Sequence, residues 1–186
     1  MPTTKILLAA TGLAGLMAAP AAAQSTTDSE SFQVIGNVPA LCSAGTVTGG
    51  NNTIDLGVLT DTATGFLRDD LVAPPRIITG SFCSSRSTVR VEATPMAAQN
   101  FTAAPPAGFS RTVNYQATAS GWTATPAVFS TAQTTNAAAT QTRTTAFSGD
   151  ITVSLDNFTT GGGDALRLVA DDRYLGTVVV TLTAAE

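Results

Sequence analysis

The chain has 186 residues, a formal net charge of −4 and no histidine. An acidic balance argues against nucleic acid or anionic lipid as a partner, since both select for a basic footprint. The missing histidine removes Ser-His-Asp and Cys-His catalysis together with the commonest zinc ligand, so neither an enzymatic activity nor a cofactor is expected.

The first stretch, MPTTKILLAATGLAGLMAAPAAAQ, has the three parts of a secretory signal peptide. Lys5 is the basic head, Ile6 to Met17 are a short apolar run, and Ala21-Ala22-Ala23 meets the small-x-small rule for cleavage before Gln24. An N-terminal anchor is the alternative, but the run is short for a bilayer and no stop-transfer flank follows. Residues 1–23 are thus assigned to the signal peptide and 24–186 to a single exported domain, large enough for one core. No later stretch is long and apolar enough to span a membrane as a helix. Eight Arg and no Lys then face thirteen acids, a more negative balance still.

Residues 31–42 read SFQVIGNVPALC, with Phe32, Val34 and Val38 on alternate positions and Gly36 between. One face of a strand is apolar here, either the first strand of a self-contained domain or a strand meant for another molecule. Cys42 and Cys83 are the two cysteines, and in an exporting context an oxidised pair persists. A bridge within the chain would have a forced connectivity and contribute about 4 kcal/mol by chain entropy, the alternatives being free thiols or an intermolecular link.

Further on, period-two patterns predict strands around Ile54, Leu56 and Val58; Val89, Val91 and Ala93; Val113, Tyr115 and Ala117; Ile151, Val153 and Leu155; and Val178, Val180 and Leu182. Breakers separate them: Gly49-Gly50-Asn51-Asn52, Pro74-Pro75, Pro105-Pro106, Pro126 and Gly161-Gly162-Gly163. Many short strands without helical periodicity imply an all-β sandwich or barrel. Residues 133–146, QTTNAAATQTRTTA, read as a loop or an edge strand. The pairs Asp69-Asp70 and Asp171-Asp172 lack the spacing of an ion loop and read as solvated turns. Trp122, with Tyr115 and Phe129, reads as a core anchor ahead of a sugar-stacking face.

Four patterns in this order resemble the spore coat protein U family, grouped with the archaic chaperone/usher pilins. They are Phe32-x-Val34-x-Gly36-x-Val38-x-x-x-Cys42, Ile54-Asp55-Leu56-Gly57-Val58-Leu59, Ser81-Phe82-Cys83 before an alternating strand, and Tyr174-Leu175-Gly176 leading into Thr177-Val178-Val179-Val180-Thr181-Leu182. The family's Gly before and Asp after the tyrosine are exchanged here for Asp172 before and Gly176 after.

The resemblance implies an immunoglobulin-like, pilin-type sandwich that lacks its last strand and carries one disulfide, Cys42 to Cys83. The missing strand is then supplied by a periplasmic chaperone and, after an outer-membrane usher, by the N-terminal extension of an identical or related subunit. Residues 24–38 become the donor extension, with Phe32, Val34, Gly36 and Val38 entering a neighbour's groove. Val178, Val180 and Leu182 border the chain's own groove, and the Glu186 carboxylate sits at the chaperone's basic anchor. The expected role is a surface pilus or coat subunit, passing through the periplasm to the cell surface or medium. The alternative is a self-contained secreted sandwich that binds a carbohydrate or protein.

Overall fold

The computed structural model describes residues 29–49 and 52–185, so the signal-peptide assignment and Glu186 lie outside the described residues. The chain divides into a unit ending at Asn37 and a second unit, Val38–Glu186.

The second unit is built from strands: β1 (Cys42–Ser43), β2 (Thr46–Thr48), β3 (Arg76–Cys83), β4 (Ser87–Ala93), β5 (Met96–Ala98), β6 (Phe109–Ser110) and β7 (Thr112–Ser120). Then come β8 (Ala127–Ser130), a 3-10 turn at Ala137–Ala139, β9 (Thr140–Arg143), β10 (Phe147–Thr160), β11 (Arg167–Leu168), β12 (Tyr174–Leu175) and β13 (Val178–Ala184). The larger sheet has the order β1-β3-β10-β7-β5-β12, with β2 also on β3 and β8 also on β7. The smaller sheet is β13-β4-β9, and β6 and β11 form a short parallel pair. Every pairing in the two main sheets is antiparallel.

The alternation read from the sequence explains the core. Val89 and Val91 of β4 point from the smaller sheet towards Tyr115, Ala117 and Ala119 of β7 and Ile151 and Val153 of β10, and all are buried. Two antiparallel sheets that share one apolar core make a β-sandwich. Trp122 is fully buried, meets Phe147 edge to face at 5.1 Å, and donates its Nε1–H to Ser87 Oγ at 3.2 Å. Removing an indole of this size from water supplies roughly 4–6 kcal/mol before entropy is counted. Gly121 makes that placement possible: its φ is +92°, and a Cβ there would lie 2.6 Å from the Asp150 carbonyl oxygen.

The strands predicted at Val89–Ala93, Val113–Ala117, Ile151–Leu155 and Val178–Leu182 form as β4, β7, β10 and β13. The strand expected around Ile54, Leu56 and Val58 does not form. Asp55 Oδ1 accepts the Gly57 N–H at 2.8 Å and Gly57 has φ +67°, an Asx-turn that ends any extended run there. The low-complexity segment becomes the 3-10 turn followed by β9, an edge strand. Asn136 fastens its start by accepting the Ser130 N–H at 2.7 Å and donating to the Ser130 carbonyl.

Candidate functional site: the open edge of the C-terminal strand

β13 lies at the edge of the smaller sheet, and among the described residues its one ladder partner is β4. The register pairs Val178 with Ala93, Val180 with Val91, Leu182 with Val89 and Ala184 with Ser87. The Thr94 N–H donates to the Thr177 carbonyl and the Ala185 N–H to the Arg86 carbonyl, each at 2.9 Å. Residues hydrogen-bonded to β4 therefore have the parity of 177 and 185, because bonded and non-bonded pairs alternate in an antiparallel ladder. Val178, Val180, Leu182 and Ala184 consequently turn their N–H and C=O groups towards the open edge.

The same four residues point their side chains inward. Val178, Val180 and Leu182 pack on the core but stay half-buried, whereas Val89 and Val91 on the neighbouring strand are at 0% exposure. The edge thus joins a row of backbone groups with no ladder partner among the described residues to incompletely covered apolar side chains, the two features a docking strand requires.

The N-terminal unit carries the complementary pattern. Residues 29–37 have no strand assignment, and Phe32 and Val34 are each 86% exposed. Val38, which opens the second unit, is 79% exposed, and a Cβ on Gly36 would meet nothing within 4 Å. Ile35 on the opposite face is exposed as well.

Cys42 and Cys83 are disulfide-bonded and stand directly opposite each other on β1 and β3, with Cα atoms 4.1 Å apart. The bridge staples the first strand of the sandwich to its neighbour. Immediately beside it the Ser84 N–H donates to the Leu41 carbonyl, the Leu41 N–H to Ser84 Oγ, and Ser84 Oγ to the Pro39 carbonyl at 3.2 Å. This clamp was invisible in the sequence, where Ser84 is one serine among many.

The remaining polar candidates are structural. Asp70 pairs with Arg68 through two 2.8 Å contacts, and that guanidinium holds its carboxyl below the usual range. Asp171 accepts the Phe101, Arg173 and Asn100 N–H groups, which lower its pKa and tie the 99–102 loop down. Asp172 accepts from the Asn100 side chain. Tyr115 is pushed up to about 12 by burial while its hydroxyl donates to the Thr177 carbonyl at the start of β13. Among the described residues no group of three or more His, Cys, Asp or Glu is placed to hold a metal, and no helix is long and apolar enough to cross a membrane.

A second feature is an open cleft of about 480 Å³ between the Arg68–Ala73 loop and the irregular end of β10, lined in part by Leu71, Val72, Leu155 and Phe158. Leu71 and Val72 fall in no alternating pattern, so only their placement reveals them. Comparison with known proteins finds no match to any family model, any curated protein or any solved structure.

Proposed function

We propose that this protein is an exported structural subunit of a surface pilus or coat, of the spore coat U and archaic pilin kind, that assembles by strand donation. The observation that carries the reading is the edge of β13, where outward-turned backbone groups and half-covered Val178, Val180 and Leu182 share one strand. An added strand would satisfy those amides and carbonyls, each bond contributing about 0.5–1.5 kcal/mol net, and cover the apolar row. The exposed alternation of Phe32, Val34, Gly36 and Val38 supplies such a strand. A periplasmic chaperone would shield the edge before an outer-membrane usher passes the subunit on, since an open apolar edge invites aggregation. The Cys42–Cys83 bridge fits an oxidising compartment.

Native mass spectrometry of the oxidised protein, with and without residues 24–38, tests this. Polymers that vanish on truncation, from chains that stay folded when a peptide of residues 24–38 is added, are expected. A monomer indifferent to the truncation would instead favour a self-contained secreted domain whose ligand occupies the cleft at Leu71, Val72 and Phe158.

A further inference from the structure

We infer that the cleft beside the second half of β10 is a saccharide site, which takes a neutral hexopyranose unit through its apolar lining and the side chains of Asp69, Asp156 and Asn157. The cleft shares no residue with the β13 edge, so the inference does not rest on strand donation.

The cleft is a gap in the larger sheet. β3 begins at Arg76, opposite Val153, whereas β10 runs on to Thr160. Pro74 and Pro75 stop β3 there, because proline has no N–H to offer a ladder. On its other side β10 still pairs with β7, Leu155 with Ala117 and Asp156 with Gln116, before the register shifts between Asp156 and Thr159. Asn157 sits in that irregularity with φ +51°, a left-handed conformation that asparagine tolerates better than most residues. Phe158 follows it half-buried, its ring centroid 6.2 Å from that of Tyr115, while Asn157 itself is exposed. Across the gap, Arg68 fixes the facing loop through its paired contacts to Asp70 and a 3.2 Å bond to the Val58 carbonyl.

The chemistry of the walls selects the ligand. Leu71, Leu155 and Phe158 present apolar surface that a small ion or a wholly polar solute would leave unmatched. The Arg68 charge is met by Asp70, whereas the Asp69 carboxylate and the Asn157 amide make no hydrogen bond among the described residues. Asp156 accepts a bond from Gln116 at 3.2 Å through Oδ1, which leaves Oδ2 for a ligand. Ionised carboxylates only accept, so they call for hydroxyl or N–H donors and disfavour an anion, while the amide both donates and accepts. A pyranose meets these demands in one molecule, with a C–H face for the Phe158 ring and the leucines and hydroxyls around its edge. A simple amine would satisfy the carboxylates and leave the apolar lining bare. A volume of about 480 Å³ lies within the roughly 300–1,000 Å³ of small-ligand sites, and the open ends let a glycan chain continue beyond the bound unit. In subunits joined into a filament such sites recur along it, so weak single contacts add up to avid attachment.

Amide chemical shifts of the oxidised, isotope-labelled protein, titrated with the methyl glycosides of glucose, galactose, mannose and N-acetylglucosamine, test this. Methyl glucosaminide and spermidine serve as cationic probes. At least one neutral glycoside is expected to shift the amides of Asp69, Leu71, Asn157 and Phe158 saturably. Asp69→Asn and Asn157→Gly should each weaken that binding at least about tenfold, the loss expected when a ligand hydroxyl forfeits its partner. The unfolding midpoint should stay in place, since neither side chain hydrogen-bonds within the described chain and glycine adopts the Asn157 backbone freely. No saturable shift with any neutral glycoside would overturn the inference, and so would a response to the two cations alone. Saturable binding that both variants retain would place the sugar elsewhere and overturn the cleft as its site. None of these results bears on strand donation, which native mass spectrometry reads separately.

Discussion

Val34→Asp separates assembly from folding. Val34 is 86% exposed within its own chain, so the substitution removes no core contact and the unfolding midpoint of the monomeric form should move little, within the ±0.5 kcal/mol of a surface change. If the chain assembles by strand donation, the same position enters the groove of a neighbouring sandwich. Losing a buried valine costs roughly 1.5–3 kcal/mol, and placing an unpartnered carboxylate in that groove adds several more. Each 1.4 kcal/mol is tenfold in affinity, so association should weaken by at least about a hundredfold. Sedimentation velocity over a concentration series reads the association, and thermal unfolding at low concentration reads the fold. A fall in the unfolding midpoint of several degrees with no change in oligomeric state would refute the reasoning, because Val34 would then be packing at home.

Four further outcomes follow from the sandwich itself. Replacing both Cys42 and Cys83 by alanine should cost about 4 kcal/mol, from the loop entropy of a 41-residue separation, measured by urea denaturation against the oxidised parent. Ser87→Ala leaves the buried Trp122 Nε1–H without its acceptor and should destabilise by about 1–3 kcal/mol, with Trp122 fluorescence reporting the transition. Tyr115 has its pKa raised to about 12, so its stabilising effect is complete below pH 10 and lost as pH rises through about 12; alkaline unfolding should be delayed in Tyr115→Phe relative to the parent. Asp171→Asn should speed hydrogen exchange at the Asn100 and Phe101 amides, and in the parent the same protection should fade below pH 4 as the carboxylate, whose folded pKa is depressed, takes up its proton.

The alternation of apolar residues was sufficient to place β4, β7, β10 and β13, because a strand buried on one face must repeat every two residues whatever it packs against. It failed at Ile54–Val58 for a local reason: Asp55 and Gly57 offered a turn whose hydrogen bond and left-handed backbone outweigh the pattern around them. It also passed over β2, β5 and β8, which are too short to show a period and exist because longer neighbours offer them an edge, and β3, whose buried positions Ile78, Ser81 and Cys83 break the period of two. The residues of the candidate site were legible as two apolar rows, Phe32 to Val38 and Val178 to Leu182.

What the sequence by itself determined is therefore the class of fold, the faces of the long strands and, for any bridge within the chain, which two cysteines would form it, all consequences of local spacing and count. Only the tertiary structure decided that Val178, Val180 and Leu182 lie on an open edge and that Ser84 clamps the chain's entry at the far end of that strand. It also decided that Trp122 fills the core instead of meeting solvent. Periodicity states that a face is covered, but which neighbour covers it depends on contacts between residues distant in the chain, such as Leu41 with Ser84 and Arg86 with Ala185. An uncovered face has the same period as a covered one, so an open edge becomes visible only when every neighbour is in place.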